Sequence, residues 1–228
     1  MKYGFVVADD MEFDAVEKYS AEHGGCAYTF AGDKALEFKI GDDTVVAVMC
    51  GAGKVNAAGA TAALIYGKGV EAIMNFGLSG AVSGLRKGDI AVGEKTVEHD
   101  FDLTSLGYKV GEKPSQTYIY KADKRLFDAV LSSYDGAKVC TLAAGDIFVS
   151  SVDEKKFILE NFGAGCCDME SAAIASVCFK SNIPFVSFRS ISDDADDTAK
   201  ESYRFENAKK QKNLLFIAVD AIKRLAGE

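Results

Sequence analysis

The sequence has few of the residues that bind metals or build disulfide frameworks. Its 228 residues include two histidines, His23 and His99, which are too few and too far apart to suggest a zinc site. Six cysteines occur, but none forms a C-x-x-C pair, and a chain this long with 48% hydrophobic residues can form a core without disulfides. We therefore expect neither a metal nor another cofactor.

Long apolar runs and clusters of basic residues are missing as well. The stretch LLFIAV at 214–219 is far too short to span a membrane, and the apolar run at the N-terminus is too short for a signal peptide. Lysines and arginines are scattered, and the formal net charge is −8. These features predict a soluble, cytoplasmic protein that binds neither membranes nor nucleic acids.

Apolar runs of strand length alternate with patterns of helix length. This alternation predicts one α/β domain over residues 1–228, with a largely parallel, mixed central β-sheet flanked by helices. The segment 102–122 is irregular, and a loop of that length is usually functional or part of an interface. The predicted strands are 3–8, paired strands within 28–51, 71–77, 88–101, 137–145 and 183–192; the predicted helices are 13–23, 54–69, 123–134, 153–163, 169–181 and 204–225.

Three carboxylates stand at predicted ligand-side positions. In open α/β sheets ligands bind beyond the carboxyl ends of the strands, where Glu12 follows the first strand and Asp193 follows the strand that contains Arg189. Glu170 begins a helix that is almost entirely apolar, so it either complements the helix dipole or is held in a pocket for chemistry. For Asp168 the dipole interpretation is sufficient. Sets of carboxylates serve acid–base and glycosidic chemistry, which indicates a hydrolase.

Two glycine-bearing segments also follow predicted strands. GAGKVN at 51–56 lacks the Walker spacing, because Val55 follows Lys54, and it is not G-x-G-x-x-G, because Asn56 takes the place of the third glycine. GLSGAVSG at 77–84 is similarly unspecific. Each segment is either a tight turn or a place where the backbone approaches a ligand closely.

The order of the motifs resembles a known superfamily. The segments CGAGKVNAA, NFGLSGAVSGLRKGDIAV, EHDFDLTSLGYKVGEKP, AGDIFVS, DMESAAIASVC and IPFVSFRSISDDAD follow one another as in the nucleoside phosphorylases and nucleosidases. They are most similar to the 5′-methylthioadenosine/S-adenosylhomocysteine nucleosidases. The resemblance implies a homodimer with a small-molecule nucleoside substrate. It also implies hydrolysis of the N-glycosidic bond, release of adenine and a place in methionine salvage.

The resemblance further implies roles for individual residues. Asp193 resembles the acid that binds the adenine edge and protonates N7, and Glu170 the carboxylate that holds the ribose hydroxyls, with Met169 packed on the sugar. Glu12 resembles the base that activates water, although a shift of the alignment by two residues would give that role to Asp14. Other substrate-binding positions implied are Phe148 and Val149 at the adenine, Leu106, Tyr108 and Pro114 at the 5′-substituent with Tyr108 from the partner subunit, and Ala52, Leu78, Ser79 and Arg189.

The choice between hydrolysis and phosphorolysis depends on arginines. In the bacterial purine phosphorylases an arginine stands two residues before the glycine of the GLSG-like loop, where this chain has Asn75. Residues 1–85 contain no arginine at all. A phosphate site without guanidinium groups would be weak, which favours water as the nucleophile. The alternatives are a futalosine-type nucleosidase, a purine or uridine nucleoside phosphorylase, and a nucleoside-binding protein without catalysis.

Overall fold

The computed structural model describes residues 1–200 and 207–227. The strands are β1 (Lys2–Val7), β2 (Cys26–Phe30), β3 (Asp33–Ile40), β4 (Asp43–Met49), β5 (Ala72–Ala81), β6 (Ile90–Glu98), β7 (Ile119–Lys121), β8 (Lys138–Ala144), β9 (Cys166–Asp168) and β10 (Phe185–Asp193). The helices are α1 (Asp10–Glu22), α2 (Lys54–Lys68), α3 (Lys124–Ser132), α4 (Val152–Phe162), α5 (Ser171–Ser181) and α6 (Asn207–Ala226). The first three residues of the predicted helix 204–225 lie outside the described part.

All of these strands belong to one mixed sheet. Their order is β10-β6-β8-β9-β5-β1-β4-β3-β2, and β7 pairs with β6. Strand β5 pairs with β1, β9 and β10, so β5, β10, β6, β8 and β9 close into a ring. The predicted α/β class with a mixed sheet is confirmed, while one domain over 1–228 stays a prediction. The sheet is less parallel than predicted, because the β2–β3–β4 hairpins and the pairs β5–β9, β6–β7 and β6–β10 are antiparallel.

Helices cover both faces of the sheet. One apolar cluster joins β1 and β5 to α1, α3 and α6, and a second joins the opposite face to α2 and α5. Strand β5 is therefore buried along its whole length, which is typical of a central strand with helices on both sides. Such a strand holds whatever lies at its carboxyl end in a fixed position.

Three local differences from the sequence-based prediction affect the site. Strand β5 continues through Gly77 to Ala81, because these small residues pair with both β10 and β9. The short strand β9 was not predicted, and α5 begins at Ser171 rather than at 169. Within 102–122 the structure forms a 3₁₀ turn, Thr104–Leu106, and the strand β7. Within the described residues, no helix combines the length and the apolar character needed to cross a membrane.

Candidate active site

A cleft lies at the carboxyl ends of the central strands. This is the edge at which the strand rule places a ligand. Apart from Glu12, the lining residues lie on six strands or in the segments that directly follow them, namely β1, β4, β5, β8, β9 and β10. Its walls are formed by Ala8, Asp9, Glu12, Ala52, Leu78, Ser79, Gly80, Ile147, Phe148, Val149, Cys167, Asp168, Met169, Glu170, Ser192 and Asp193.

Glu12 enters the cleft from the first turn of α1. Asp9 caps this helix by accepting a hydrogen bond from the Met11 amide, and the next inward-facing position is Glu12, which is buried. The amide of Leu78 donates to Oε1 of Glu12 at 2.7 Å, while Oε2 has no hydrogen-bond partner among the described residues. Burial raises the pKa of Glu12 from 4.5 to about 7, against the opposing effects of the Leu78 amide and the Arg189 charge.

Asp14, the alternative base, points away from the cleft. Its side chain is exposed and forms an ion pair with Lys18 at 2.6 Å, one turn along the same helix. Helical geometry separates two positions that differ by two residues onto different faces. Of the two aligned candidates, only Glu12 can meet a substrate in this cleft.

The GLSG segment makes room for two carboxylates. A Cβ atom at Gly77 would stand 2.7 Å from Oε1 of Glu12, and one at Gly80 would stand 2.8 Å from Oδ1 of Asp193. Such distances are well below van der Waals contact, so a side chain at either position would displace a carboxylate. The glycines thus let Glu12 and Asp193 lie directly against the strand, which is neither the tight turn nor the direct ligand contact that the sequence offered as interpretations.

Asp193 ends strand β10 just beyond an irregularity in its pairing with β5. Its Oδ2 accepts a hydrogen bond from the Ser192 hydroxyl at 2.6 Å, and its Oδ1 accepts one from the Ala195 amide at 2.9 Å. The residue is only 3% exposed, so these bonds fix the carboxyl group against the cleft wall. The register shift turns both Ser192 and Asp193 towards the cleft.

Glu170 occupies the N-cap position of α5, but its side chain makes no capping bond. Instead its Oε1 accepts a hydrogen bond from the Gly53 amide at 2.9 Å, across the cleft wall formed by the GAGKVN segment. Burial raises the pKa of Glu170, and the Arg189 charge opposes that shift. Of the two interpretations from the sequence, the structure favours a carboxylate held at a pocket.

Asp168 performs the capping that Glu170 does not. Its Oδ1 accepts hydrogen bonds from the Glu170 amide at 2.8 Å and the Ser171 amide at 2.7 Å, and its Oδ2 accepts one from the Ser171 hydroxyl. It also forms an ion pair with Arg189 at 3.1 Å. These contacts agree with the interpretation of Asp168 as a helix-start residue.

Arg189 lies behind the cleft and does not line it, which differs from the direct substrate contact predicted. Its guanidinium is 1% exposed, donates to Asn75 Oδ1 at 2.6 Å, and approaches Glu170 Oε2 at 4.0 Å. Asn75 is buried too and donates to the Val6 carbonyl. A strand interior covered on both faces leaves Arg189 no route to the cleft, so its charge balances the acids from behind.

The apolar wall contains the other predicted contacts. Phe148 and Val149 form one side, with the Phe148 ring 44% exposed, and Met169 lies beside Glu170. Ala52, Leu78 and Ser79 complete the opposite side. The Ser79 hydroxyl is buried and, like Glu12 Oε2, has no partner among the described residues. Buried polar atoms without partners are rare in folded proteins, and these two line the cleft, where a ligand could pair with them.

The remaining predicted positions lie away from the cleft of their own chain. Leu106 and Tyr108 are 69% and 37% exposed, and neither they nor Pro114 belong to the cleft lining. That Tyr108 serves a partner subunit stays a prediction.

Sequence reasoning missed several residues of the cleft. Asp9, Ser192 and Cys167 line it, and only their neighbours had been singled out. Ser192 could have been found, since it precedes Asp193 at the end of a strand. Cys167 could not, because the short strand that carries it has no recognisable pattern of its own.

Comparison with known proteins agrees with this architecture. The model of the family described as "Phosphorylase superfamily" matches residues 2–223. The 5′-methylthioadenosine/S-adenosylhomocysteine nucleosidase of Haemophilus influenzae (strain PittEE) is 34% identical over 209 residues, covering 89% of this chain and 90% of the relative.

Solved structures show the same fold. The nucleosidase of that name from S. pneumoniae, with a transition-state inhibitor, superposes with a TM-score of 0.90 at 27% identity, covering 99% of this chain and 100% of the other. The futalosine hydrolase of Helicobacter pylori strain 26695 gives a TM-score of 0.92 at 24% identity over 98% of both chains, a likeness of fold alone. The chain belongs to the phosphorylase superfamily and, within it, to the family of 5′-methylthioadenosine/S-adenosylhomocysteine nucleosidases.

Proposed function

We propose that this protein hydrolyses the N-glycosidic bond of 5′-methylthioadenosine and S-adenosylhomocysteine, releasing adenine and the 5-thio-substituted ribose. The observation that carries the proposal is the composition of the cleft. Glu12, Glu170 and Asp193 face it from different elements, and no lysine or arginine is among the described residues that line it. The family relationship supplies the substrate class.

The three carboxylates suit the charges that develop when this bond breaks. The ribose becomes oxocarbenium-like and positive, and the departing base becomes negative. Glu170 holds the ribose hydroxyls and stabilises the positive sugar, and Asp193 delivers a proton to N7 of adenine. Glu12 takes a proton from water, for which a pKa of about 7 is well matched to neutral pH. Each proton transfer contributes roughly 10²–10⁴-fold to the rate.

Water rather than phosphate is the proposed nucleophile. A phosphate would approach Asp9, Glu12 and Glu170 with no cation on the cleft surface to offset the repulsion. Arg189 is committed to Asp168 and Asn75 behind the wall. Asn75 stands where the bacterial purine phosphorylases carry an arginine, and residues 1–85 contain no guanidinium group.

A homodimer, a cytoplasmic location and a role in methionine salvage belong to the same proposal. The exposed Leu106 and Tyr108 form an apolar surface on the irregular segment, which would complete the 5′-pocket of a second copy. All six cysteines are free, which is usual in a reducing compartment.

The direct test is incubation with 5′-methylthioadenosine in phosphate-free buffer, with adenine release followed by chromatography. We expect turnover that added phosphate does not increase. Strict dependence on phosphate would identify a phosphorylase, and binding without turnover would identify a nucleoside-binding protein. A parallel assay with futalosine tests the remaining alternative, a futalosine-type nucleosidase. The similar fold of the Helicobacter pylori futalosine hydrolase is the reason to include it.

A further inference from the structure

The lysine of the GAGKVN segment has no role in the site described so far. Lys54 does not line the cleft, and the segment is not a phosphate loop. Its position in the chain is nevertheless significant, because it directly follows Gly53, whose amide donates to Glu170. The orientation of that amide depends on how residues 51–56 are held.

The segment has one internal side-chain hydrogen bond, from the Asn56 side-chain amide to the Ala52 carbonyl at 2.8 Å, and a glycine on each side of Ala52. Gly51 and Gly53 have φ values of +79° and +100°, a region in which glycine is conformationally free. Helix α2 begins at Lys54 without a side-chain cap and without an acidic residue in its first turn. Contacts from outside the segment therefore act together with the Asn56 bond in defining where the Gly53 amide points.

Lys54 supplies those contacts from both its backbone and its side chain. Its amide donates to Asp146 Oδ1 at 2.7 Å, and its Nζ donates to Asp100 Oδ1 at 2.7 Å and to Glu98 Oε2 at 3.3 Å. The Asp146 amide in turn donates to Asp100 Oδ2 at 2.8 Å. Lys54, Asp100 and Asp146 thus form a closed circuit of charged hydrogen bonds, with the Lys54 side chain 21% exposed.

We propose that Lys54 is a positioning residue, whose ion pair with Asp100 holds the Gly53 amide against the Glu170 carboxylate and so prepares the site for a ribose. The inference rests on the proposed function only for the identity of the ribose ligand. Lys54 touches neither substrate nor reacting atoms, and it acts through Gly53.

The test compares two ligands that differ in the ribose. Adenine lacks the sugar, and an adenosine analogue with a carbon–carbon bond between base and ribose keeps it but cannot be hydrolysed. Calorimetry gives the Kd of both. For Lys54→Met we expect the Kd of the analogue to rise about 10-fold to 100-fold, the usual effect of a lost charged hydrogen bond. The Kd of adenine should stay within about 2-fold, because adenine has no ribose for Glu170 to hold.

Matched variants separate positioning from general damage. Lys54→Arg retains a cation and should restore analogue binding to within about 3-fold of the wild type. Lys138→Met removes a comparable ion pair, with Asp89 at 2.6 Å, at a site outside the cleft lining and should leave both Kd values unchanged. Unchanged analogue binding in Lys54→Met, or an equal loss for adenine, would overturn the inference.

The same experiment keeps this inference apart from the proposed function. A wild-type protein that binds the analogue but releases no adenine from 5′-methylthioadenosine contradicts the hydrolase and still reports on Lys54. A wild-type protein that binds neither ligand contradicts both.

Discussion

At the scale of the residue, Glu12 combines burial with a polar neighbour. One of its oxygens is bonded to the Leu78 amide, and the other is buried without a partner among the described residues. A carboxyl group in this environment is half protonated near pH 7, so a small change of pH changes its charge. Both activity and stability should respond.

Substitution of Glu12 tests its assignment as the base. We expect Glu12→Gln to lower kcat by roughly 10²–10⁴-fold, because Gln cannot accept the proton of water. Asp14→Asn is the matched control on the same helix and should retain nearly full activity, since Asp14 is exposed. Loss of activity in Asp14→Asn together with retention in Glu12→Gln would reverse the assignment. Adenine release in single-turnover and steady-state assays measures both.

The pH dependence of the activity follows from the same group. The base must be deprotonated to act, so kcat/KM should fall by tenfold per pH unit below about pH 7. A rate profile between pH 5 and 9 measures this limb of the curve. A flat profile through pH 6 would mean that Glu12 does not act as the base.

The free energy of unfolding should fall with rising pH, whereas the activity rises. The folded-state pKa of Glu12 is above its ordinary value, so its contribution is fully present below about pH 4.5 and is lost as pH rises through about 7. Glu12→Gln removes that loss, so at pH 8 its free energy of unfolding should exceed that of the wild type by on the order of 3 kcal/mol. The difference should shrink towards pH 4.5. Urea denaturation at both pH values measures it, and equal differences at both would contradict the linkage.

At the scale of the element, the carboxyl end of β5 has the strictest requirement for residues without a side chain. This strand carries two glycines because carboxylates from α1 and β10 occupy the space of their missing side chains. The sequence pattern predicted a strand that stops at Gly77, since glycine usually weakens a strand. The structure continues to Ala81 because pairing with β9 and β10 outweighs that local preference.

Alanine at either glycine should therefore impair activity more than folding. We expect Gly77→Ala or Gly80→Ala to lower kcat/KM by about 100-fold, because a displacement near 1 Å at a reacting group has that order of effect. Gly59→Ala in α2, where a Cβ meets nothing within 4 Å, is the control. It should keep full activity and stabilise the protein by up to about 1 kcal/mol. Wild-type kinetics in both β5 variants would contradict the proposed roles of Glu12 and Asp193.

The elements that sequence analysis placed correctly are those with a strong pattern. Continuous apolar runs marked β1 and β10, and the glycine-separated segments within 28–51 marked the three strands β2, β3 and β4. Strand β9 was missed because three residues are too few to show a period, and it shifted the start of α5. Glu170 was consequently placed inside a helix, although it occupies the N-cap.

At the scale of the whole molecule, the cleft is assembled from residues that are distant in the sequence. The strand rule together with the order of motifs named Glu12, Glu170 and Asp193, and the structure brings all three to one cleft. No pattern in the sequence could show that Arg189 lies behind the wall, because a strand covered on both faces gives no alternation to distinguish its two sides. The circuit of Lys54, Asp100 and Asp146 was hidden as well, since tertiary contacts join the start of α2 to the segments that follow β6 and β8.

The proposed homodimer can be tested by mixing two defective variants. Tyr108→Ala should lower kcat/KM about 10-fold if the partner's tyrosine forms part of the 5′-pocket, as expected for the loss of an apolar contact. When Tyr108→Ala is mixed with Glu12→Gln under conditions that exchange subunits, a heterodimer contains one intact site. Random exchange should restore about a quarter of the wild-type activity. No gain on mixing, with exchange verified by mass, would contradict a shared site.

The ring of strands described above also bears on how a ligand enters and leaves. Leu78, Ser79 and Gly80 are all paired with β10, and Gly80 is also paired with β9, so this wall cannot give way without breaking strand pairs. The opposite wall follows β8 as a loop and carries the half-exposed Phe148. We expect the rate of adenine departure to be governed by movement of residues 147–150, while the carboxylates remain in place through every catalytic cycle.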